Sequence, residues 1–166
     1  ESLPVSSFVP YPGGVFPTGT SKYEKRGISE FAPAWDPAKC IQCNLCSYVC
    51  PHAALRPFLL NEEEAAAAPA EFKTVPAKGK GLAGCAFSIQ ISALDCAGCG
   101  SCVNVCPAKE KALSMECVEK HPESMPNWYH AMTLPERPSP IGTATVKGSQ
   151  FQRPLLEFPG ACPGCG

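Results

Sequence analysis

The sequence is short of several things that would point elsewhere. It has only two Trp in 166 residues, no apolar run near the length of a bilayer span, no block of basic residues, and no basic start with an apolar stretch behind it in Glu1–Pro10. No membrane partner and no secretory leader are therefore expected. With 14 basic against 15 acidic side chains, nucleic acid is not an expected partner either. Walker, Gly-x-Ser-x-Gly and His-Glu-x-x-His motifs are missing, so nothing in the chain argues for catalysis of its own.

What is abundant is 19 Pro, 14 Gly and 12 Cys. The Pro and Gly content predicts short elements joined by turns, and a small core of that kind needs another staple. Absence of an export signal disfavours disulfides as that staple. The chain starts at Glu1 without Met and stops one residue after Cys165, which reads as a piece of a longer polypeptide.

Glu1–Pro33 is rich in turn residues and is expected to be a connecting arm. Asp36-Pro37-Ala38-Lys39 predicts a helix start leading into Cys40, and Asn61-Glu62-Glu63-Glu64 a second capped start. Pro69–Gly84 is expected to be loop. Phe87, Ile89 and Ile91 alternate with Ser88, Gln90 and Ser92, the period of a half-buried strand, with Ala112–Met115 a candidate partner. Pro122–Pro140 is Pro-rich with Trp128, Tyr129 and Met132 as docking residues, and Thr143–Val146 has a weak strand pattern.

One repeat dominates. Cys40-x-x-Cys43-x-x-Cys46-x-x-x-Cys50-Pro51 recurs as Cys96-x-x-Cys99-x-x-Cys102-x-x-x-Cys106-Pro107. Two related halves about an approximate twofold axis are expected. The spacing is that of a bacterial 4Fe–4S run, in which three closely spaced thiolates hold one cluster and the fourth reaches the other. Cys40, Cys43, Cys46 and Cys106 are assigned to cluster 1, and Cys96, Cys99, Cys102 and Cys50 to cluster 2. Structural zinc fits poorly, because it favours Cys-x-x-Cys knuckles separated by a longer span. Ala97, Gly98, Gly100 and Ser101 leave room for amides to approach sulfur, and apolar side chains at Ile41, Leu45, Val49, Val103 and Val105 are expected to exclude water. His52, His121 and His130 are read as surface or packing residues, and Cys85 and Cys117 as structural thiols.

Trp35-Asp36-Pro37-Ala38-Lys39-Cys40-Ile41-Gln42-Cys43-Asn44 with Cys50-Pro51-His52-Ala53-Ala54 resembles the ferredoxin-like domain of pyruvate:ferredoxin (flavodoxin) oxidoreductases. Phe16–Thr20, Tyr23–Arg26 and Thr145–Phe151 extend the resemblance over nearly the whole chain. It implies an α+β, bacterial-type two-cluster domain over 35–117, a connecting arm over 1–34, a linker over 118–157, and at 158–166 the start of a thiamine-diphosphate domain. In that family the pair Cys162 and Cys165 supplies half the ligands of a third 4Fe–4S cluster. The implied activity is electron transfer within an enzyme that converts pyruvate and coenzyme A to acetyl-CoA, with thiamine diphosphate and Mg bound elsewhere. The implied partners are ferredoxin or flavodoxin, the remaining domains, and a second copy of the parent. The implied location is the cytoplasm of a bacterium or a mitochondrion-related organelle such as a hydrogenosome. A free-standing two-cluster carrier is the competing reading; it would need neither the long arms nor the last Cys pair.

Overall fold

The computed structural model describes residues 4–14 and 25–153. Two small antiparallel sheets carry the repeat. In one, β1 (Phe31–Trp35) pairs with β5 (Leu113–Cys117), placing Trp35 opposite Leu113 and Phe31 opposite Cys117. In the other, β4 (Ala86–Ile91) lies between β2 (Leu55–Leu60) and the two-residue β3 (Val75–Pro76).

The pairing is reciprocal. The strand entering the first cysteine run, β1, pairs with the strand leaving the second; the strand entering the second, β4, pairs with the strand leaving the first. Neither cysteine run is closed by a hairpin of its own half. The candidate strand at 112–115 therefore exists, but its partner is β1 and not β4. The end of the expected arm is likewise β1 and not irregular chain, because Ala32, Pro33 and Trp35 have a core to enter.

That core joins both sheets. Trp35 meets Phe87 edge to face at 6.0 Å between centroids, and Phe87 meets Phe151 at 6.2 Å. Leu55, Ile89, Ile91, Ala112 and Leu113 complete it around the buried thiols Cys40, Cys46 and Cys102. Side chains of this size stabilise by roughly 1.5–3 kcal/mol each when fully buried.

A second apolar cluster of Phe58, Leu60, Phe72, Trp128, Ala131 and Leu134 seats α4 (Ser124–Thr133) on the larger sheet. The stretch expected to be Pro-rich connection is thus helical. Pro126 is tolerated because it falls in the first turn, where the amide needs no intrahelical partner. Trp128 is fully buried, with the Arg56 guanidinium 5.2 Å from its ring centre, Met132 packs against the cluster, and Tyr129 points to solvent. Arg153 closes the other end of the helix, donating to the carbonyls of Ala131, Met132 and Leu134.

Three further expectations are corrected. β4 is buried on both faces, because α4 and the segment before β3 cover its polar side: Ser88 Oγ donates to the Lys73 carbonyl at 2.7 Å, and Gln90 Nε2 donates to Ser88 Oγ at 2.7 Å. Asp36–Lys39 forms a turn, its Asp36 carboxylate accepting from the Ala38 amide at 3.0 Å, so the chain folds into the cysteine loop without a helix. Thr145 is no strand residue but the N-cap of α5 (Val146–Ser149), accepting from the Gly148 amide at 3.1 Å. The helix start at Asn61 forms as expected. There α2 (Glu62–Ala66) opens on a capping box in which Asn61 Oδ1 accepts from the Glu64 amide and Glu64 accepts from the Asn61 amide.

Candidate metal centres

Each cysteine run makes a tight loop and then a single helical turn: α1 (Leu45–Tyr48) after the first, α3 (Ser101–Val105) after the second. The loops match residue for residue. Gln42 and Asn44 have φ of 58° and 62°, and Gly98 and Gly100, 56 positions later, have φ of 66° and 73°. Left-handed residues at alternate positions let backbone amides turn toward one side, as in backbone concavities suited to anions. The Gln42 amide accordingly donates to Cys40 Sγ at 3.4 Å, and the Gly98 amide to Cys96 Sγ at 3.4 Å.

The halves meet the left-handed requirement differently. In the second, glycine does so without strain. In the first, non-glycine residues cost roughly 1–2 kcal/mol each, and their side chains explain why they stand there. Gln42 donates to the Pro76 carbonyl at 2.9 Å and accepts from the Lys78 amide at 2.7 Å. Asn44 donates to the Lys147 carbonyl at 2.9 Å, and Ser47 to Gln150 at 2.8 Å, so α5 is pinned over the first loop.

The trailing cysteine of the first run crosses over. Cys50, Cys96, Cys99 and Cys102 line one cavity, whose other walls include Leu55, Ile91, Met115 and His52. Cys96 is pushed up by burial, and the thiolate fields of Cys50 and Cys99 add to this. Cys102 is pushed to about 12 by burial and then by Cys50, Cys96 and Cys99. Cys99 is held below its ordinary value by the Ser101 hydroxyl, 3.5 Å from its sulfur.

On the other side, Cys46 is pushed to about 12 by burial, then by Cys40 and Cys43, with a smaller contribution from Cys102. Cys106 is half-buried against the same core that holds Cys40 and Cys46. The two thiol groups are thus neighbours across the contact between α1 and α3.

This donor set fits a cluster. Mutually repelling thiolates in an apolar cavity need positive charge among them, and the ten described cysteines are all free of disulfides. Among the described residues no group of three or more His, Cys, Asp and Glu side chains is already drawn together around a single point. Of the expected water-excluding side chains, Leu45, Val49, Val103 and Val105 are partly buried, whereas Ile41 is half exposed.

The remaining sequence candidates fall as follows. His121 lies 3.0 Å from Glu116 and 3.1 Å from Glu123, as a packing residue would. His130 packs on Phe72 at 5.3 Å. Cys85 lines a separate cleft of about 820 Å³, and Cys117 lies in β5. Cys162 and Cys165, and the stretch 158–166 with them, lie outside the described residues, as do Phe16–Thr20 and Tyr23–Glu24. In the sequence Lys147 and Lys25 stand only within stretches of family resemblance; the structure has Lys147 Nζ donating to the Lys78 carbonyl beside the first loop and Lys25 paired with Asp95. Both act across distances in sequence that no local pattern signals. His52 is buried as a packing residue would be, but its place in the thiol cavity was not foreseen.

Comparison with known proteins agrees with this chemistry. Residues 39–110 match a family described as a 4Fe–4S dicluster domain, and residues 1–29 a domain of unknown function. The whole chain is 56% identical to pyruvate:ferredoxin oxidoreductase of Moorella thermoacetica and 49% identical to pyruvate-flavodoxin oxidoreductase of Klebsiella pneumoniae, spanning 14% of the length of each. It is 50% identical to a mitochondrial NADP+ pyruvate dehydrogenase of Euglena gracilis, spanning 9% of it.

Proposed function

We propose that this chain, whose residues 39–110 match a 4Fe–4S dicluster family and whose full length matches a segment of pyruvate:ferredoxin and pyruvate-flavodoxin oxidoreductases, is an electron-relay segment of such an enzyme. The thiols of Cys40, Cys43, Cys46 and Cys106 hold one 4Fe–4S cluster, and those of Cys96, Cys99, Cys102 and Cys50 hold the other. When bound, each cluster supplies one-electron redox chemistry. The protein's own part is to present thiolates, to aim the Gln42 and Gly98 amides at sulfur, and to keep water out with Leu55, Ile91 and Met115. The observation that carries this reading is the cavity in which Cys50 meets the three cysteines of the other run.

The reciprocal strand pairing supports a pseudo-twofold relation between the halves. Residues 35–117 are the two-cluster unit, 1–34 lead into it, 118–157 link onward, and 158–166 begin a thiamine-diphosphate domain, with Cys162 and Cys165 contributing to a third cluster. In the parent, the second-run residues Cys96, Cys99, Cys102 and Cys50 would face the thiamine-diphosphate side and the first-run residues Cys40, Cys43, Cys46 and Cys106 the side of ferredoxin or flavodoxin, and clusters held there would supply one-electron redox chemistry between the two. Thiamine diphosphate and Mg belong to the remaining domains, the parent is a homodimer, and its location is the cytoplasm or a mitochondrion-related organelle. Among the described residues no helix is long and apolar enough to cross a membrane.

Anaerobic preparation with analysis of iron and acid-labile sulfide, followed by EPR after dithionite reduction, tests the proposal. Two interacting 4Fe–4S signals are expected. A colourless, EPR-silent protein after reconstitution with ferrous salt and sulfide would overturn it.

A further inference from the structure

The repeat is broken at one chemically telling position. Two residues beyond the last cysteine of each run stands His52 in the first half and Ala108 in the second. Because Cys50 crosses over, His52 is carried with it into the cavity of Cys96, Cys99 and Cys102. It is 8% exposed, and its Nε2 is buried without a hydrogen-bond partner. An unpartnered polar nitrogen among apolar walls is destabilising unless something there accepts its hydrogen or donates to it. Of the side chains that line the same cavity, Pro33, Ala54, Leu55, Ile91 and Met115 carry no nitrogen or oxygen acceptor, and the Ser101 hydroxyl is engaged by Cys99 at 3.5 Å.

We propose that His52 is a positioning residue for the second-run cluster, donating Nε2–H to one of its sulfurs. The inference rests on the crossed ligation proposed above. Such a bond stabilises the extra negative charge of the reduced state, so it raises the reduction potential of that cluster. Ala108 has no donor to offer the first-run cluster. A sequence repeat that is symmetric in its ligands is thereby given a difference in potential by one side chain, in the sense that favours holding the electron at the second-run site over passing it to the first-run site.

The test is a redox titration followed by EPR on the intact holoprotein, comparing the natural protein with His52→Phe, which keeps a ring without the donor, and His52→Ala, which copies the other half. Iron and sulfide content accompany each measurement. Both variants should retain two clusters, and the signal perturbed by Cys99→Ser should titrate at a lower potential while the other stays in place. In the natural protein labelled with 15N-histidine, electron-nuclear double resonance should show a nitrogen and an exchangeable proton coupled to that cluster, both lost in His52→Phe. This spectroscopic arm decides the matter even if a variant fails to assemble. Unmoved potentials with full cluster content, or no histidine coupling in the natural protein, would overturn the role of His52 alone. A shift of the first-run signal instead would overturn the crossed ligation on which it rests.

Discussion

The ammonium of Lys25 lies 2.5 Å from the carboxylate of Asp95, the residue immediately before the second cysteine run, and both side chains are largely buried. Ser92 Oγ also donates to that carboxylate at 2.5 Å, and the Gly27 amide donates to the Leu94 carbonyl at 2.9 Å. The chain ahead of β1 is therefore fastened to the second loop. Removing one member of a buried pair leaves an uncompensated charge, at a cost of about 3–5 kcal/mol. Lys25→Met should destabilise the protein by an amount near the lower end of that range, and denaturant titration should show the second-run cluster lost before the first.

Gly98 and Gln42 occupy equivalent left-handed positions, yet only one has room for a side chain. A Cβ at Gly98 would stand 2.1 Å from Ser29 Oγ, at φ of +66°. Gly98→Ala is expected to destabilise by about 2–3 kcal/mol, combining backbone strain with the clash. Adding Ser29→Gly should recover the steric part and leave the strain. A double-mutant cycle by chemical denaturation reads the coupling, and full additivity would contradict the contact.

Cys50→Ala should harm the site beside it in space and spare the one beside it in sequence. EPR of the reduced protein is expected to lose or convert the cluster held by Cys96, Cys99 and Cys102 while the first-run signal survives. Loss of the first-run signal alone would refute the crossed arrangement.

The seat of α5 over the first loop depends on Gly148, where a Cβ would stand 2.1 Å from the Gly142 carbonyl oxygen. Backbone atoms cannot rotate away as a serine hydroxyl can. Gly148→Ala is expected to lift α5, breaking the Asn44–Lys147 bond and opening the first loop to water. The visible absorbance of the clusters should then bleach severalfold faster in air, with the first-run EPR signal failing first.

His121 is held above its ordinary value, chiefly by the Glu116 carboxylate, with Glu123 adding to it. A raised folded value means that its ion pairs stabilise the protein fully below the unfolded value of about 6.5 and that this contribution is lost as pH rises through the raised one. Because the imidazole is 29% exposed, the contribution is expected to be no more than about 1 kcal/mol. The stability difference between the natural protein and His121→Gln should be present at pH about 6 and gone by pH about 9. A difference that grows with pH would have the wrong sign.

The two-half cysteine repeat and the capping box at Asn61 were written in the sequence, because each is a local pattern with a fixed spacing: Cys40-x-x-Cys43-x-x-Cys46 needs no knowledge of the rest of the chain. So was the strand at 86–91. Which strand each one meets, why Ser88 and Gln90 are buried, and that Thr145 caps a helix were decided only by tertiary packing. Those outcomes depend on α4 covering β4 and on α5 closing over the first loop, contacts between segments far apart in the chain. The same holds for His52. Its residue type is visible in the sequence, but its company is set by strands that pair across the halves, carrying Cys50 and everything attached to it into the cavity of the other run.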